Sequence, residues 1–354
     1  MSPLITLADI QAAATRIAGV AIRTPLIPLT LPSTFNLPYT IYLKDESAQP
    51  IGSFKLRGAY NKIAQLTPDQ LRRGVITYSS GNHAQGVAYS ARALGSKAVI
   101  VMPSNTPTIK LDATRALGAE IVLVGPSSTE RKLKAEQLAE ANGYTIVPPY
   151  DDDAIIAGQA TCGLEILEQL PTADLILSPV SGGGLLSGVA TAIKLFAAEQ
   201  MRVPPISRTW RSGNGAAEPS GQPQVYGVEP ALSADAKQSF DTRTLIEWPA
   251  AQTTRTLADG LRTQSLGQRN FEHILQHVDG IVTISEDEIR AALRLILQTT
   301  NLTAEPSGAV TLAAALFHAH ELPPAQQIVA ILSGGNLEPT LRAELESEPH
   351  TTNV

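Results

Sequence analysis

The chain has 354 residues, 43% of them hydrophobic and 17% charged, with a formal net charge of -6. A chain of this length is longer than a typical single domain, so we expect two domains. The high hydrophobic and low charged content predict little disorder. The lack of a basic tract and an aromatic content of only 5% argue against a nucleic-acid partner.

The cysteine content and the apolar runs bear on the compartment. Cys162 is the single cysteine of the sequence and cannot form an internal disulfide, which is typical of a reducing compartment. No apolar run reaches the roughly 18 residues of a membrane helix. The segment Met1–Leu4 has no basic stretch before an apolar one. We therefore expect a cytoplasmic protein without a membrane partner.

Strands and helices are predicted to alternate from about residue 74 onwards. The first block predicts the strands Val75–Ser79, Lys97–Met102 and Glu120–Val124 and the helices Asn82–Leu94, Thr108–Leu117 and Ser127–Ala141, and it closes near Tyr144–Pro149. The second block predicts the strands Asp174–Val180, Gln224–Val228, Gly280–Ile284 and Gln327–Leu332 and the helices Ile155–Gln169, Leu185–Ala198, Glu286–Thr300 and Ser307–His320. This alternation indicates an α/β protein with parallel sheets covered by helices on both faces.

Two blocks of unequal size predict two sheets that face each other across a cleft. A surface loop is expected between Arg202 and Pro223, where Pro, Gly and Ser are frequent. In open parallel sheets, ligands bind beyond the carboxyl ends of the strands. Four predicted strands end in small or polar residues, in the segments Tyr78–His83, Pro179–Leu185, Val228–Pro230 and Leu332–Asn336. Together these four strand ends predict one shared ligand-binding cleft.

The glycine-rich segment Ser181–Gly184 leads directly into a predicted helix. Glycines let backbone N–H groups converge, and the helix N-terminus adds a partial positive charge, so the segment predicts a phosphate site. A dinucleotide fingerprint fails here, because Ser187 occupies the third glycine position and the next glycine is Gly188. The following helix also leads into the Pro/Gly loop instead of a strand that ends in an acid.

Two further segments carry reactive groups. Ser79–His83 offers hydroxyls, a turn glycine, an amide and an imidazole at a helix start, which together suit a carboxylate ligand. Ser80 and Asn82 taken singly are equally good helix caps. Lys55, between Phe54 and Leu56, is a candidate desolvated amine that attacks a carbonyl. Judged on the local sequence alone, an ordinary surface lysine is the favoured interpretation.

In combination, these segments resemble the fold-type II enzymes that use pyridoxal 5'-phosphate (PLP), and within them the threonine/serine ammonia-lyase and serine racemase family. The resemblance extends from about residue 5 to residue 345 and rests on the segments Ser53–Ala59, Ser79–Gly86, Ser181–Leu185, Ala258–Gly260, Glu305–Ala309 and Ser333–Asn336. It implies a fold like that of the tryptophan synthase β subunit, with two open parallel-sheet αβα domains and the active site in the cleft between them. Residues 1–74 and 151–354 would form the large PLP-binding domain, with the insert at 202–223. Residues 75–150 would form the small domain with the substrate-carboxylate loop.

The resemblance also implies roles for individual residues. Lys55 would form a Schiff base with the cofactor and move the substrate α-proton, and Ser80 would be the acid or base on the opposite face. The cofactor would contact Phe54, Lys55, Asn82, Ser181, Gly182, Gly183, Gly184, Leu185, Glu305 and Ser333. The substrate carboxylate would contact Ser79, Ser80, Gly81, Asn82 and His83. A neutral serine, Ser333, at the pyridine nitrogen would limit the electron sink and favour β-elimination.

A cation site is implied by the match of Glu229, Ser233 and Asp235 to a divalent-cation site in some relatives. Two carboxylates and a backbone carbonyl suit Mg²⁺ or Ca²⁺, and the alternative is a solvated loop with two acids. The implied activity is dehydration and deamination of L-threonine, L-serine or a related β-hydroxy amino acid to a 2-oxo acid and ammonia, by a homodimer or homotetramer. Three alternatives stay open: a serine racemase, a dehydratase for 3-hydroxyaspartate or phenylserine, and a non-catalytic protein of this fold that only binds an amino acid.

Overall fold

A computed structural model describes residues 3–32, 35, 37–79, 81–106, 108–125, 128–202 and 221–348. The predicted insert at 202–223 lies almost entirely outside these residues, as does Ser80. Among the described residues, the strands are β1 Leu26–Pro28, β2 Thr40–Asp45, β3 Val75–Thr77, β4 Ala98–Pro103, β5 Glu120–Val124, β6 Thr145–Ile146, β7 Leu175–Pro179, β8 Gln224–Pro230, β9 Gly280–Ile284 and β10 Gln327–Leu332.

The strands form two sheets. The larger has the order β1-β2-β10-β7-β8-β9, and all its neighbours are parallel except β1, which runs antiparallel to β2 at the edge. The smaller sheet has the order β5-β4-β3-β6 and is parallel throughout. Because parallel strands place all their carboxyl ends on one edge, each sheet offers one edge for ligands.

The helices connect these strands and cover the sheets. They are α1 Leu7–Ile17, α2 Lys55–Ile63, α3 Pro68–Arg73, α4 Asn82–Ala93, α5 Thr108–Ala116, α6 Ser128–Asn142, α7 Asp153–Gln169, α8 Gly184–Arg202, α9 Asp235–Thr242, α10 Ala250–Thr253, α11 Gln268–His277, α12 Glu286–Thr299, α13 Pro306–Phe317 and α14 Pro339–Ser347. Several begin at a side-chain cap; the Asp152 carboxylate accepts from the backbone N–H groups of Ala154 and Ile155 at the start of α7. None of the described helices is long and apolar enough to cross a bilayer.

Hydrophobic clusters lie on both faces of each sheet. One face of the small sheet is covered by a cluster that joins Val75 and Ile100 to Ala59 and Ile63 of α2 and to Ile155 of α7. Helix α2 therefore packs under the small sheet although its residues fall outside the range predicted for the small domain. The division of the chain into 1–74 plus 151–354 and 75–150 stays a prediction.

Glycines allow the helices α2, α7 and α8 to approach closely. A Cβ on Gly158 of α7 would lie 2.6 Å from the carbonyl oxygen of Arg57 in α2. A Cβ on Gly188 of α8 would lie 2.6 Å from the carbonyl oxygen of Ile156 in α7. Both distances are too short for any side chain, so glycine at these positions fixes the spacing of the three helices. The same contacts hold the first turn of α2, which begins with Lys55, in place.

Candidate active site

Lys55 is the first residue of α2 and lies beside the carboxyl end of β10. Ser53 forms an isolated antiparallel bridge with Gly334, and the Phe54 N–H donates to the Ser333 carbonyl over 3.1 Å. These backbone contacts attach the turn before α2 to the segment after β10. Lys55 and Ser333, which are far apart in the sequence, are thereby brought to the same edge of the large sheet.

The Lys55 amine lies in a partly apolar setting. Its Nζ donates to the Pro149 carbonyl over 2.9 Å and lies 5.1 Å from the centre of the Phe54 ring. Burial lowers the pKa of Lys55 to about 8, against the opposing influence of the Glu305 carboxylate. No described carboxylate oxygen lies within 4.0 Å of this nitrogen. Lys55 is therefore a candidate nucleophile near neutral pH, and the surface-lysine interpretation favoured by its local sequence is wrong.

The glycine loop lies between β7 and α8. Gly183 has a φ of 96°, in the left-handed region, and a Cβ there would lie 2.8 Å from Cβ of Asn270. A Cβ on Gly182 would lie 2.4 Å from the Tyr150 ring. Side chains are thus excluded at Gly182 and Gly183, and the backbone there and at the start of α8 is left to bind an anion. Leu185, the second residue of α8, is buried.

Neighbouring side chains hold this loop. The Ser187 hydroxyl donates to the Gly183 carbonyl over 2.8 Å, and the Asn270 amide donates to that hydroxyl over 3.1 Å. At the start of the loop, the Ser181 hydroxyl lies 2.9 Å from the Thr263 hydroxyl. Sequence reasoning assigned no role to Asn270 or Thr263, since both are far from the loop in the chain.

Asn82 connects the two sheets. Its Nδ2 donates to Glu305 Oε1 over 2.7 Å, and its Oδ1 accepts from Asn336 Nδ2 over 2.7 Å. Burial and the nearby Asp259 carboxylate raise the pKa of Glu305 to about 7, although the Asn82 bond opposes the shift. Asn82 starts α4 of the small sheet, whereas Glu305 and Asn336 belong to the large-sheet segments. The structure therefore brings these predicted site residues together across the cleft.

An ion pair also crosses the cleft. Lys110 of α5 lies 2.7 Å from the Asp259 carboxylate and 3.3 Å from the Glu338 carboxylate. Asp259 follows the motif residue Ala258, and the Gly260 N–H donates to the Ser307 hydroxyl over 2.9 Å. The segment around Ser307 thus contacts both the segment near Asp259 and, through the Ser333 hydroxyl, the segment that follows β10.

The predicted carboxylate loop lies between β3 and α4. The Ser79 hydroxyl accepts from the Gly81 N–H over 3.4 Å. His83 is buried; its Nε2 donates to the Val147 carbonyl over 3.0 Å, and its Nδ1 has no hydrogen-bond partner among the described residues. Burial, with a smaller contribution from Lys55, lowers the pKa of His83 to about 3. The imidazole is therefore neutral at pH 7, so it offers no positive charge to a carboxylate, and its role stays a prediction.

Ser333 follows β10 and is 3% exposed. Its hydroxyl donates to the Ser307 carbonyl over 3.4 Å. The neighbouring Ser53 hydroxyl is buried without a hydrogen-bond partner among the described residues. A buried neutral hydroxyl at the end of a central strand, an unpartnered hydroxyl next to it and a desolvated lysine fit a heteroaromatic ring with a carbonyl substituent.

The predicted cation site lies at the end of β8. Glu229 accepts from the Lys237 N–H over 2.6 Å, whereas Asp235 Oδ2 is buried and accepts no hydrogen bond from the part of the chain that the structure describes. The Ser233 hydroxyl is committed to the Leu261 carbonyl over 2.8 Å, which leaves its own backbone carbonyl as the available ligand. Burial raises the pKa of Glu229 well above its usual range and that of Asp235 to about 7. Two buried carboxylates with an available oxygen fit a divalent cation.

Residues 17–334 match the family described as pyridoxal-phosphate dependent enzyme. The chain belongs to this family. As a pyridoxal-phosphate-dependent enzyme, it is 35% identical to a serine racemase of Schizosaccharomyces pombe (strain 972 / ATCC 24843), with 95% of each chain covered. It is 34% identical to an L-threo-3-hydroxyaspartate ammonia-lyase of Saccharomyces cerevisiae (strain ATCC 204508 / S288c), with 94% of each covered. It is 37% identical to a catabolic L-threonine dehydratase of Staphylococcus aureus (strain N315), with 95% of this chain and 90% of the relative covered.

Solved structures show the same fold. The threonine deaminase from T.th. is 40% identical with a TM-score of 0.81, covering 94% of this chain and 99% of the deaminase. The maize serine racemase is 32% identical with a TM-score of 0.85, covering 97% of this chain and 98% of the racemase. The predicted fold-type II architecture, the PLP cofactor and the relationship to the threonine/serine ammonia-lyases and serine racemases are confirmed.

Proposed function

We propose that this PLP-dependent enzyme eliminates water from L-threonine, L-serine or a related β-hydroxy amino acid and releases a 2-oxo acid and ammonia. The observation that carries the proposal is the desolvated Lys55 amine at the same sheet edge as the neutral hydroxyl of Ser333. The water lost in the elimination is regained on hydrolysis, so the net products are the 2-oxo acid and ammonia.

The cofactor would be held by residues on both sides of the cleft. Lys55 would bond covalently to its aldehyde carbon, Phe54 would pack on the ring, and Asn82 would donate to the ring hydroxyl oxygen. The phosphate would lie on Ser181–Leu185 at the start of α8, with Glu305 beside the ring. When bound, PLP supplies an electron sink for the pair left on the α-carbon when its proton is removed.

Residues of the chain would then remove the α-proton and bind the substrate carboxylate. The Lys55 amine, released when substrate binds, would take the α-proton at Nζ, because its lowered pKa keeps it a base near neutral pH. The Ser79 hydroxyl, Ser80 and the backbone N–H groups of Gly81, Asn82 and His83 at the start of α4 would hold the substrate carboxylate. The β-hydroxyl would leave as water, and the proton that it takes up balances the one that Lys55 Nζ removes from the α-carbon.

Ser333 supports elimination as the reaction type. An acidic residue at that position would keep the pyridine nitrogen protonated, whereas a serine hydroxyl would leave it neutral. Ser333 would thereby leave a weaker electron sink, and loss of a β-leaving group would compete well with the alternative reactions.

Racemisation is the second candidate, favoured by the 35% identity to the Schizosaccharomyces pombe serine racemase. It would use Lys55 and Ser80 on opposite faces of the substrate, and Ser80 lies outside the described residues. The relative that acts on L-threo-3-hydroxyaspartate makes that compound a candidate substrate, and phenylserine is another. A protein that only binds amino acids is disfavoured by the desolvated Lys55 and the glycine loop.

The test is a substrate panel on purified enzyme. L-threonine, L-serine, L-threo-3-hydroxyaspartate and phenylserine are assayed for 2-oxo acid release and for inversion by chiral chromatography, with and without Mg²⁺. We expect 2-oxo acid from at least one, and inversion without 2-oxo acid would establish the racemase alternative. Lys55→Ala should abolish both turnover and the visible absorbance of the lysine-bound cofactor, whereas Lys62→Ala on the same helix should keep both. A fully active Lys55→Ala variant would disprove the proposal.

Glu229, Asp235 and the Ser233 carbonyl would hold Mg²⁺ or Ca²⁺, completed by water. We expect a homodimer or homotetramer in the cytoplasm. The large domain of 1–74 plus 151–354 and the small domain of 75–150 would close on the amino-acid substrate between them.

A further inference from the structure

The carboxamide of Asn82 is held in one of its two possible orientations. Its oxygen accepts from Asn336 and its nitrogen donates to Glu305, each over 2.7 Å. Nδ2 carries two protons, and no other described residue accepts the second. The amide therefore offers an N–H group to a ligand in the cleft.

Asn336 is itself fixed. Its Nδ2 uses a second proton to donate to the Ile51 carbonyl over 3.0 Å. The turn that supplies this carbonyl is built around the Asn336 side chain. Gly52 has a φ of 72°, and a Cβ there would lie 2.5 Å from Asn336 Oδ1. The Gly335 N–H donates to the Gly52 carbonyl over 2.9 Å. Asn336 can thus present only a donor to Asn82.

Glu305 is fixed on the other side of the amide. Glu305 is 6% exposed, and its backbone N–H donates to the Gly334 carbonyl over 2.9 Å. A Cβ on Gly334 would lie 2.7 Å from Glu305 Oε1. If the Asn82 amide flipped, its oxygen would face this carboxylate and its nitrogen would face the Asn336 nitrogen. The Asn336 contact would then join two donors, and the contact with the ionised Glu305 carboxylate would join two acceptors, so the observed orientation is preferred.

We propose that Asn336 and Glu305 are positioning residues that lock the Asn82 carboxamide so that it donates to the ring hydroxyl oxygen of PLP. Neither residue needs to touch that oxygen. The inference rests on the assignment of Asn82 to the cofactor in the proposed function. Its consequence is that the electronic state of the bound cofactor, and not only its affinity, depends on Asn336.

The test is a double-mutant cycle on the holoenzyme, with Asn82→Ala, Asn336→Asp and the double variant. Asn336→Asp replaces the donor with an acceptor of the same shape. The readouts are the dissociation constant of PLP by equilibrium dialysis and the ratio of the visible to the near-ultraviolet cofactor band. We expect Asn336→Asp to weaken PLP binding by about tenfold and to shift absorbance toward the near ultraviolet. Asn336→Asp should change both readouts less in the Asn82→Ala background than in the unmodified enzyme, because only the lost bond to the Ile51 carbonyl acts there.

The control is Asn142→Asp, the same change at an exposed asparagine whose amide donates to the Leu138 carbonyl; it should alter neither readout. Should Asn336→Asp not fold, Asn336→Ala removes the same donor without adding a charge. Glu305→Gln keeps an oxygen acceptor and should disturb the band ratio less than Glu305→Ala. If Asn82→Ala changes neither readout, the assignment of Asn82 to the cofactor fails. If Asn82→Ala changes both while Asn336→Asp changes neither, or if the two effects add, the positioning role is overturned.

Discussion

Lys55 and Arg57 lie two residues apart in the first turn of α2, and the environments of these two cations are opposite. The Arg57 side chain is 0% exposed and lies 2.7 Å from Glu46 and 2.7 Å from Glu165. Among the described residues, Lys55 Nζ has only a carbonyl oxygen as hydrogen-bond partner. The ion-paired arginine anchors the helix, whereas the lysine keeps a lowered pKa and is free to react. The first turn of α2 thus carries both a structural cation, Arg57, and a reactive amine, Lys55.

The Arg57 network extends away from the cleft. Lys44, which is 0% exposed, lies 2.6 Å from Glu165 and also donates to the Thr24 carbonyl over 2.8 Å. Burial alone would raise the pKa of Glu46, but the Arg57 guanidinium outweighs it and holds that pKa below its usual value. The network joins α2 to β2 and α7. It therefore fixes the helix from which Lys55 projects.

Removal of Arg57 should have the largest effect on stability. Arg57→Met would leave Glu46 and Glu165 buried with too little positive charge, and we expect the free energy of unfolding to fall by about 3–5 kcal/mol. Denaturant titration measures this change. Lys62→Met, at a partly exposed ion pair with Asp152 on the same helix, should cost less than about 1 kcal/mol. Equal losses in the two variants would show that the Arg57 network is no more stabilising than a surface pair.

The pH dependence of PLP binding to the apoenzyme tests the environment of Lys55. Only the unprotonated amine attacks the aldehyde, so the rate constant for PLP binding to apoenzyme should rise with pH and level off above the Lys55 pKa of about 8. A lysine with the ordinary pKa of 10.5 would still gain rate up to that pH. Glu305→Gln removes the charge that opposes this shift, so the plateau should begin at a lower pH. A plateau near the ordinary value would contradict the desolvated environment.

The sequence predicted best those strands that consist largely of consecutive apolar residues. Three strands, β5, β9 and β10, have the bounds predicted for them. β1, β2 and β6 were missed: β1 and β6 have only three and two residues, and β2 contains Lys44, a charged residue that is fully buried. Its partner Glu165 is distant in the chain, so no local pattern could reveal the compensation. The same distance hid the contact between Asn82 and Asn336.

The candidate site was predictable to the extent that it is made of short motifs. The glycine loop and the serine after β10 follow from strand ends, which sequence locates reliably. The neutral state of His83 did not follow, because it depends on burial and on the Val147 carbonyl. The largest difference between local prediction and structure is at Lys55. Its local sequence favoured a surface position, and only the tertiary contacts of α2 reveal its burial.

Glu229 and Asp235 are the acidic counterpart of Lys55, because burial shifts their pKa values toward the neutral form, unlike that of Glu46. A divalent cation that binds only the folded protein should raise its stability by about 2.7 kcal/mol at a concentration 100 times the dissociation constant. Thermal denaturation with and without Mg²⁺ or Ca²⁺ measures this gain. Asp235→Asn should abolish it, whereas Asp241→Asn, at an exposed pair with Lys237, should not. A gain that survives in Asp235→Asn would place the cation elsewhere.

The smallest effect is expected where the interacting groups are neutral. The Ser181 hydroxyl lies 2.9 Å from Thr263 at the start of the glycine loop, and a neutral hydrogen bond contributes about 0.5–1.5 kcal/mol. Ser181→Gly, which places a glycine at the first loop position, should therefore weaken PLP binding by about two- to tenfold. Turnover at saturating cofactor should be unchanged, since the hydroxyl would touch the phosphate and not the reacting atoms. Equilibrium dialysis measures the affinity, and Thr263→Val shows whether Thr263 orients the hydroxyl. Unaltered affinity in Ser181→Gly would mean that backbone N–H groups alone hold the phosphate, which is then bound by the geometry of the loop and not by its side chains.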